Sequence, residues 1–364
     1  MICIFIDALK PEYIEKTTFL KELAENNLSG NLEVTFGFTS IIPSFLTGCY
    51  PDTHRKIELF DLDPEMKSKT KSKLLINLRL LLKNNRFFFT PLNSEYYKYF
   101  KVCQEKAWPQ KNSLSVKTIF DILEENNKKF ISIDWPNIYI NRKSKLFFKN
   151  DCKTVLDTTK KLIKSKPDFL FVHFLDLEIA HKYGTTSNEL KEKLTEIDNA
   201  VRELAILDDN LIIFSDHSMD EVREKFDIKE KLDSLNLEFG KDLVYFIGST
   251  FVRFWFKSQE AKKSVESLLR SLEEGRIVNF KEYNLPKTCD LIFLANFGTI
   301  FYPNFFNTDY QAMHGWDPKI QKTFYIIKNL KGKKDAHIVN LLPTILDLMK
   351  IKKPKLDGIS LINE

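Results

Sequence analysis

Leu211-Ile212-Ile213-Phe214-Ser215-Asp216-His217-Ser218-Met219 is the stretch that most restricts what this chain can fold into. Four apolar residues in a row, preceded by Asp208-Asp209-Asn210 and ended by an abrupt polar break, have the length of a strand buried on both faces of a parallel sheet. Asp216 and His217 then fall beyond its carboxyl end, where open α/β sheets bind their ligands. A carboxylate beside an imidazole there is metal-ligating chemistry. Taken alone, the pair reads better as a turn that caps the next helix.

Other strand ends offer matching groups. The chain opens Met1-Ile2-Cys3-Ile4-Phe5-Ile6-Asp7, an apolar run too short for a secretory signal, without a basic start or an Ala-x-Ala site. It reads as a first strand that delivers Asp7 either as a ligand or as the N-cap of a helix running from Ala8 through Leu23. Further on, Phe169 to Leu175 reads as a core strand leading into Asp176-Leu177-Glu178-Ile179-Ala180-His181. His173, inside that strand, reads as a core histidine. A helix capped by Thr186-Ser187, with Leu190, Leu194, Ile197, Val201 and Leu204 on one face, returns the chain to Leu211.

The most distinctive passage is Phe36-Gly37-Phe38-Thr39-Ser40-Ile41-Ile42-Pro43-Ser44-Phe45-Leu46-Thr47-Gly48-Cys49-Tyr50-Pro51-Asp52-Thr53-His54. Two hydroxyl residues stand just before an apolar stretch with a Pro near its start. That is the pattern of a helix presenting a hydroxyl at its N-terminus, where free N–H groups and the dipole favour phosphate oxygens.

Composition bounds the rest. A 364-residue chain that is 43% hydrophobic can bury a large core as one big domain or two ordinary ones. Its 55 basic and 50 acidic residues are spread along the chain, so a net charge of +5 gives no footprint for duplex nucleic acid. The Lys-rich piece from Lys67 to Lys73 reads as a solvated face. No apolar run approaches the roughly 20 residues of a membrane span. Five cysteines without CxxC spacing argue against a disulfide framework or a Cys-ligated zinc, so a cytoplasmic setting is expected.

The run Thr47-Gly48-x-Tyr50-Pro51-x-x-His54 after a Thr or Ser, together with Asp7 and the Asp216-His217 pair, resembles the alkaline phosphatase superfamily. Within it, the chain is most similar to the type I phosphodiesterases and nucleotide pyrophosphatases. The resemblance implies an α/β fold, an alkaline-phosphatase-like core with a mainly parallel central sheet flanked by helices, plus cap insertions. The core would comprise residues 1–54, 113–218 and 301–364, with an aromatic-rich insertion over the site at 55–112 and a small α/β cap at 219–300. His314-Gly315-Trp316 is similar to the family's last metal ligand in its His-Gly-Tyr context.

By that resemblance, Asp176, His181 and His314 hold one divalent ion and Asp7, Asp216 and His217 the other, with Thr39 bound to the second as nucleophile. Zn²⁺ is the expected metal and Mn²⁺ the substitute. Two departures stand out. The family spaces its Asp four residues before the His, but here Leu177 holds that place, so Asp176 implies a one-residue bulge and Glu178 is the alternative. The family also has a hydroxyl nine residues before Thr-Gly, where this chain has Phe38, so Thr39 implies a one-residue shortening and Ser40 is the fallback.

The implied activity is hydrolysis of a phosphodiester or pyrophosphate through a phospho-threonine intermediate, on a small phosphoester such as a nucleotide or nucleotide sugar. A phosphomonoesterase or phosphotransferase of the same superfamily is the alternative, and a degenerate, non-catalytic member is the other. Arg253, inside an aromatic strand, reads either as a phosphate contact or as a half-buried structural side chain.

Overall fold

The computed structural model describes residues 1–63, 99–103, 106–134, 137–147, 149–306 and 309–362. Most of the expected insertion at 55–112 lies outside them.

Ile2–Ile6, Phe169–Phe174, Leu211–Phe214 and Phe130–Asp134 form strands buried along their whole length. Ile4 and Ile6 pack on one side of the sheet while Cys3 and Phe5 pack on the other. Apolar residues at every position suit such a strand because both faces are covered. These four strands lie side by side and parallel, with Ile2–Ile6 between Phe169–Phe174 and Leu211–Phe214. They form the middle of a nine-stranded sheet.

Among the described strands of that sheet, only Thr323–Ile327 and Asn137–Ile140 run against the common direction. Thr323–Ile327 inserts between Leu211–Phe214 and Leu28–Glu33, so the chain's late strand separates two earlier ones. The mainly parallel sheet flanked by helices is the expected architecture.

One face of the sheet is covered by the helices Phe19–Asn26, Cys152–Leu162 and Asn188–Ala205. The last presents Leu190, Leu194, Ile197, Val201 and Leu204 inward, and the Ser187 hydroxyl accepts the Leu190 N–H at its start. Ile41–Thr47, Ile119–Glu125 and Leu341–Leu348 cover the other face. Among the described residues, no helix is long and apolar enough to cross a membrane.

The single helix expected after Asp7 is broken in two, at Pro11–Ile14 and Phe19–Asn26. Its second piece begins where Asp198, from the long helix, accepts the N–H groups of Thr18, Phe19 and Leu20. That cap comes from a distant segment, which local pattern does not reveal.

Leu243–Ile247, Phe251–Phe256, Leu291–Ala295 and Gly275–Ile277 make a separate four-stranded antiparallel sheet, backed by the helix Gln259–Ser271. These elements fall within the 219–300 segment. The short pair Phe60–Leu62 and Phe100–Val102 joins it, with Phe60 and Phe100 buried in the same apolar cluster. Those two rings are spent in packing.

Arg253 is also structural: it is buried, donates to the Phe60 carbonyl, lies 3.6 Å from Asp61 and sits over the rings of Phe246 and Trp255.

Candidate active site

The carboxyl ends of the four central strands converge as the parallel arrangement dictates. Asp7 follows Ile6, Asp216 and His217 follow Phe214 by two and three positions, and Asp134 ends its own strand. Asp7 Oδ1 lies 3.2 Å from His217 Nε2, and Asp216 Oδ2 lies 3.5 Å from the same nitrogen. His314 arrives from the other end of the chain and stacks on His217, ring centroids 3.6 Å apart and 4° from parallel.

The segment after Phe174 settles the irregular spacing by geometry. Asp176–Ile179 is a 3₁₀ turn that continues directly into the helical turn Ala180–Tyr183, so there is no bulge. On such a turn, residues three apart share a face. Glu178 Oε2 therefore sits 3.3 Å from His181 Nε2, and Glu178 Oε1 3.7 Å from His217 Nε2. Asp176 points elsewhere, accepting the Cys152 N–H at 3.1 Å with Lys193 Nζ at 3.8 Å. The structure thus brings Glu178 into the cluster in place of Asp176.

Among the described residues, two groups of side chains have ligand atoms all within 4.8 Å of one another: Glu178, His181 and His314, and Asp7, Glu178 and His217. Asp216 borders the second group through its contact with His217. The histidines are aimed by their other nitrogen. His181 Nδ1 donates to the Ala312 carbonyl at 2.8 Å and His217 Nδ1 to the Ser218 carbonyl at 3.2 Å, which leaves both Nε2 atoms facing the carboxylates. His314 Nδ1, Glu178 Oε1 and Asp7 Oδ1 are buried without a hydrogen bond of good geometry. Such orphans are costly in a dry site, and a coordinated cation satisfies them.

Charge accumulates in the same place. Burial, and then the neighbouring Asp7 carboxylate, push Asp216 up to about 8. Burial opposes the charge on His217, but Asp216, Asp7 and Glu178 outweigh it and hold that ring at about 10. His314 is pressed well below the usual imidazole value, by burial first and then by the charge of His217.

His173, expected in the core, is buried as expected but is not inert. Its Nδ1 lies 2.9 Å from Asp134 and its Nε2 3.3 Å from Asp7, while its ring stacks on Phe5. Burial alone would raise Asp7, yet the hydrogen bonds from His173 and His217 hold it far below the carboxylate range. The sequence signal for this role was available in retrospect: Asp134 ends a strand just as Asp7 follows one.

Thr39 and Ser40 separate clearly. Ser40 is fully buried at the start of the helix Ile41–Thr47 and donates to the Phe36 carbonyl at 2.6 Å. Thr39 is half-buried, its N–H tied to the Ile57 carbonyl. The preceding Phe38 N–H is held by the buried Glu58 at 2.9 Å, and the Phe38 ring meets the edge of His314 with centroids 5.1 Å apart. The turn that carries Thr39 therefore abuts the histidine cluster.

Gly315 permits that approach. It has φ +90°, and a Cβ there would lie 2.5 Å from the Phe38 ring.

The profile of the type I phosphodiesterase / nucleotide pyrophosphatase family matches residues 1–317. The chain belongs to this family. It is accordingly a hydrolase of phosphoric ester or pyrophosphate bonds.

Its fold is similar to that of murine ectonucleotide pyrophosphatase / phosphodiesterase 5, at 12% identity with a TM-score of 0.71, over 98% of this chain and 97% of that one. The human protein of the same name gives 12% identity and a TM-score of 0.72, covering 98% and 96%. An inactive threonine-to-alanine variant of the murine protein in complex with AMP matches at 12% identity and a TM-score of 0.70, over 98% and 96%. None of the curated proteins compared with the chain matches it.

Proposed function

We propose that this phosphodiesterase-family chain cleaves a nucleotide-type phosphodiester or pyrophosphate bond at a two-metal centre, with Thr39 as nucleophile. The observation that carries the reading is the convergence of Glu178, His181 and His314 on one side and Asp7, Asp216 and His217 on the other, meeting at the stacked His217–His314 pair.

Those residues fit divalent ions of the zinc type, which accept mixed carboxylate and imidazole ligands. When bound, such ions lower the pKa of a coordinated hydroxyl or water and neutralise charge that builds on phosphate oxygens.

The chain's own side chains do the rest. Thr39 offers the hydroxyl, held in place by main-chain bonds to Ile57 and, through Phe38, to Glu58. It attacks phosphorus, the leaving alkoxide or phosphate departs, and a phospho-threonine remains until water hydrolyses it. His173 keeps Asp7 ionised and fixed, so a ligand is ready without reorganisation. Ser40 is a poor candidate because its proton is committed to the Phe36 carbonyl. The AMP complex of the murine relative supports a nucleotide as the substrate class.

The test is turnover of a p-nitrophenyl phosphodiester and of dinucleotides, with elemental analysis before and after chelation. The expected outcome is two equivalents of metal and activity lost on chelation and in Thr39→Ala. A preparation that keeps full activity with its metal removed, or that keeps it in Thr39→Ala, overturns the reading.

A further inference from the structure

His54 closes the sequence motif that begins at Thr47-Gly48, yet it takes no part in the cluster described above. It is fully buried, as are Ser40 and Ser44, and Thr35 is nearly so. The four form a continuous hydrogen-bonded chain. His54 Nε2 lies 2.8 Å from Ser44 Oγ, Ser44 Oγ 3.1 Å from Thr35 Oγ1, and Thr35 Oγ1 2.9 Å from Ser40 Oγ. Ser40 Oγ ends the chain on the Phe36 carbonyl at 2.6 Å, with the Gly37 carbonyl at 3.1 Å.

The direction of this chain is forced from both ends. Carbonyls only accept, so Ser40 must donate, and each hydroxyl has a single proton to give. Ser40 therefore accepts from Thr35, Thr35 from Ser44, and Ser44 from the Nε2–H of His54. At the far end, the Lys56 main-chain N–H points at His54 Nδ1 at 3.2 Å, which requires that nitrogen to be bare. Both ends demand the same neutral tautomer. Burial, and then the nearby Lys56, keep the ring neutral by lowering its pKa to about 3.

The end of the chain is the turn Phe36–Ser40, on which Thr39 sits. We propose that His54 is a positioning residue for phosphoryl transfer: as an Nε2–H donor it orients a one-way relay of buried hydroxyls that fixes the turn presenting Thr39. This rests on Thr39 being the nucleophile. A relay whose protons all point one way has a single low-energy arrangement, so the turn it ends on is held in one place. Small displacements of a nucleophile are expensive in rate, up to roughly 100-fold for about 1 Å.

Two measurements test this. The first is independent of turnover: ¹⁵N-histidine NMR of the whole protein shows His54 with a protonated Nε2 and a bare Nδ1 from about pH 6 to 8, where an ordinary imidazole titrates. An Nδ1–H tautomer or an imidazolium overturns the proposal.

The second is kinetic. Thr35→Val and His54→Leu each lower kcat roughly 10- to 100-fold with KM changed less than about 2-fold. The double variant is no slower than the slower single, because both cut the same relay. His54→Gln, whose amide nitrogen donates near the place of Nε2, recovers most of kcat.

Additive losses, or a fall in thermal midpoint with kcat unchanged, overturn the relay. Thr39→Ala run in parallel separates the two claims. If it is inactive while the relay variants keep wild-type kcat, only the relay is wrong; if it remains active, the nucleophile assignment and the relay fall together.

Discussion

His217 and His314 lie face to face, 3.6 Å between ring centroids and 4° from parallel, although they come from opposite sides of residues 219–300. Two imidazoles so placed cannot both carry charge cheaply, and the surrounding carboxylates assign the proton to His217. Metal binding must therefore displace the proton that the neighbouring carboxylates hold on His217 up to about 10. Affinity for Zn²⁺ is expected to rise with pH from 6 to about 8 and to level off only above about 10. Competition titrations with a chromophoric chelator, with proton release measured in weakly buffered solution, check this.

Glu178 and Asp176 should separate in a paired substitution. Glu178→Gln removes a charge shared by both ligand groups, so metal content falls and turnover drops by roughly 100-fold or more. Asp176→Asn keeps an oxygen for the Cys152 N–H, and is expected to hold its metal while losing about 1 kcal/mol of stability. Elemental analysis and urea denaturation of the two variants distinguish the roles.

Thr39→Ala is expected to abolish the phosphorylated enzyme and to cut turnover by roughly 10⁴-fold, the scale of losing a nucleophile. Ser40→Ala should still form it, more slowly, since that hydroxyl supports the turn and does not attack. Acid-quenched intact-mass measurement of the phosphorylated chain during turnover reads the difference directly.

Stability below neutral pH should depend on His54. Its folded value of about 3 lies under the ordinary value near 6.5, so between these pH values the unfolded chain binds the extra proton. The contribution is whole above about 6.5 and is lost as pH falls, by at most about 1.4 kcal/mol per unit. Wild type should thus lose stability relative to His54→Gln on going from pH 7 to 4, as measured by denaturant midpoints at matched ionic strength.

Much of the scaffold was readable because strands buried on both faces leave unbroken apolar runs. Ile2–Ile6, Phe169–Phe174 and Leu211–Phe214 all declare themselves that way, and polar residues beyond such runs mark the ligand end of the sheet. Asp7, Asp216, His217, His181 and His314 do meet there. Asp176 misled because linear spacing does not show whether a chain leaves a strand through a bulge or a 3₁₀ turn.

Gln321 was opaque for another reason: its partner Asp220 is remote in sequence. Gln321 accepts the Gly315 and Trp316 N–H groups and donates to Asp220, tying the His314 turn to the segment just after His217. No local pattern announces such a tie.

The insertion of Thr323–Ile327 between Leu28–Glu33 and Leu211–Phe214 governs the order of assembly. Emerging from the ribosome, Leu28–Glu33 has no described sheet neighbour until residues 323–337 have been made, since its partners are Thr323–Ile327 and Ala336–His337. His314 and Gln321 arrive on that same late segment. Nascent chains thus hold Asp7, Glu178 and Asp216 apart from His314 until that late segment has been made.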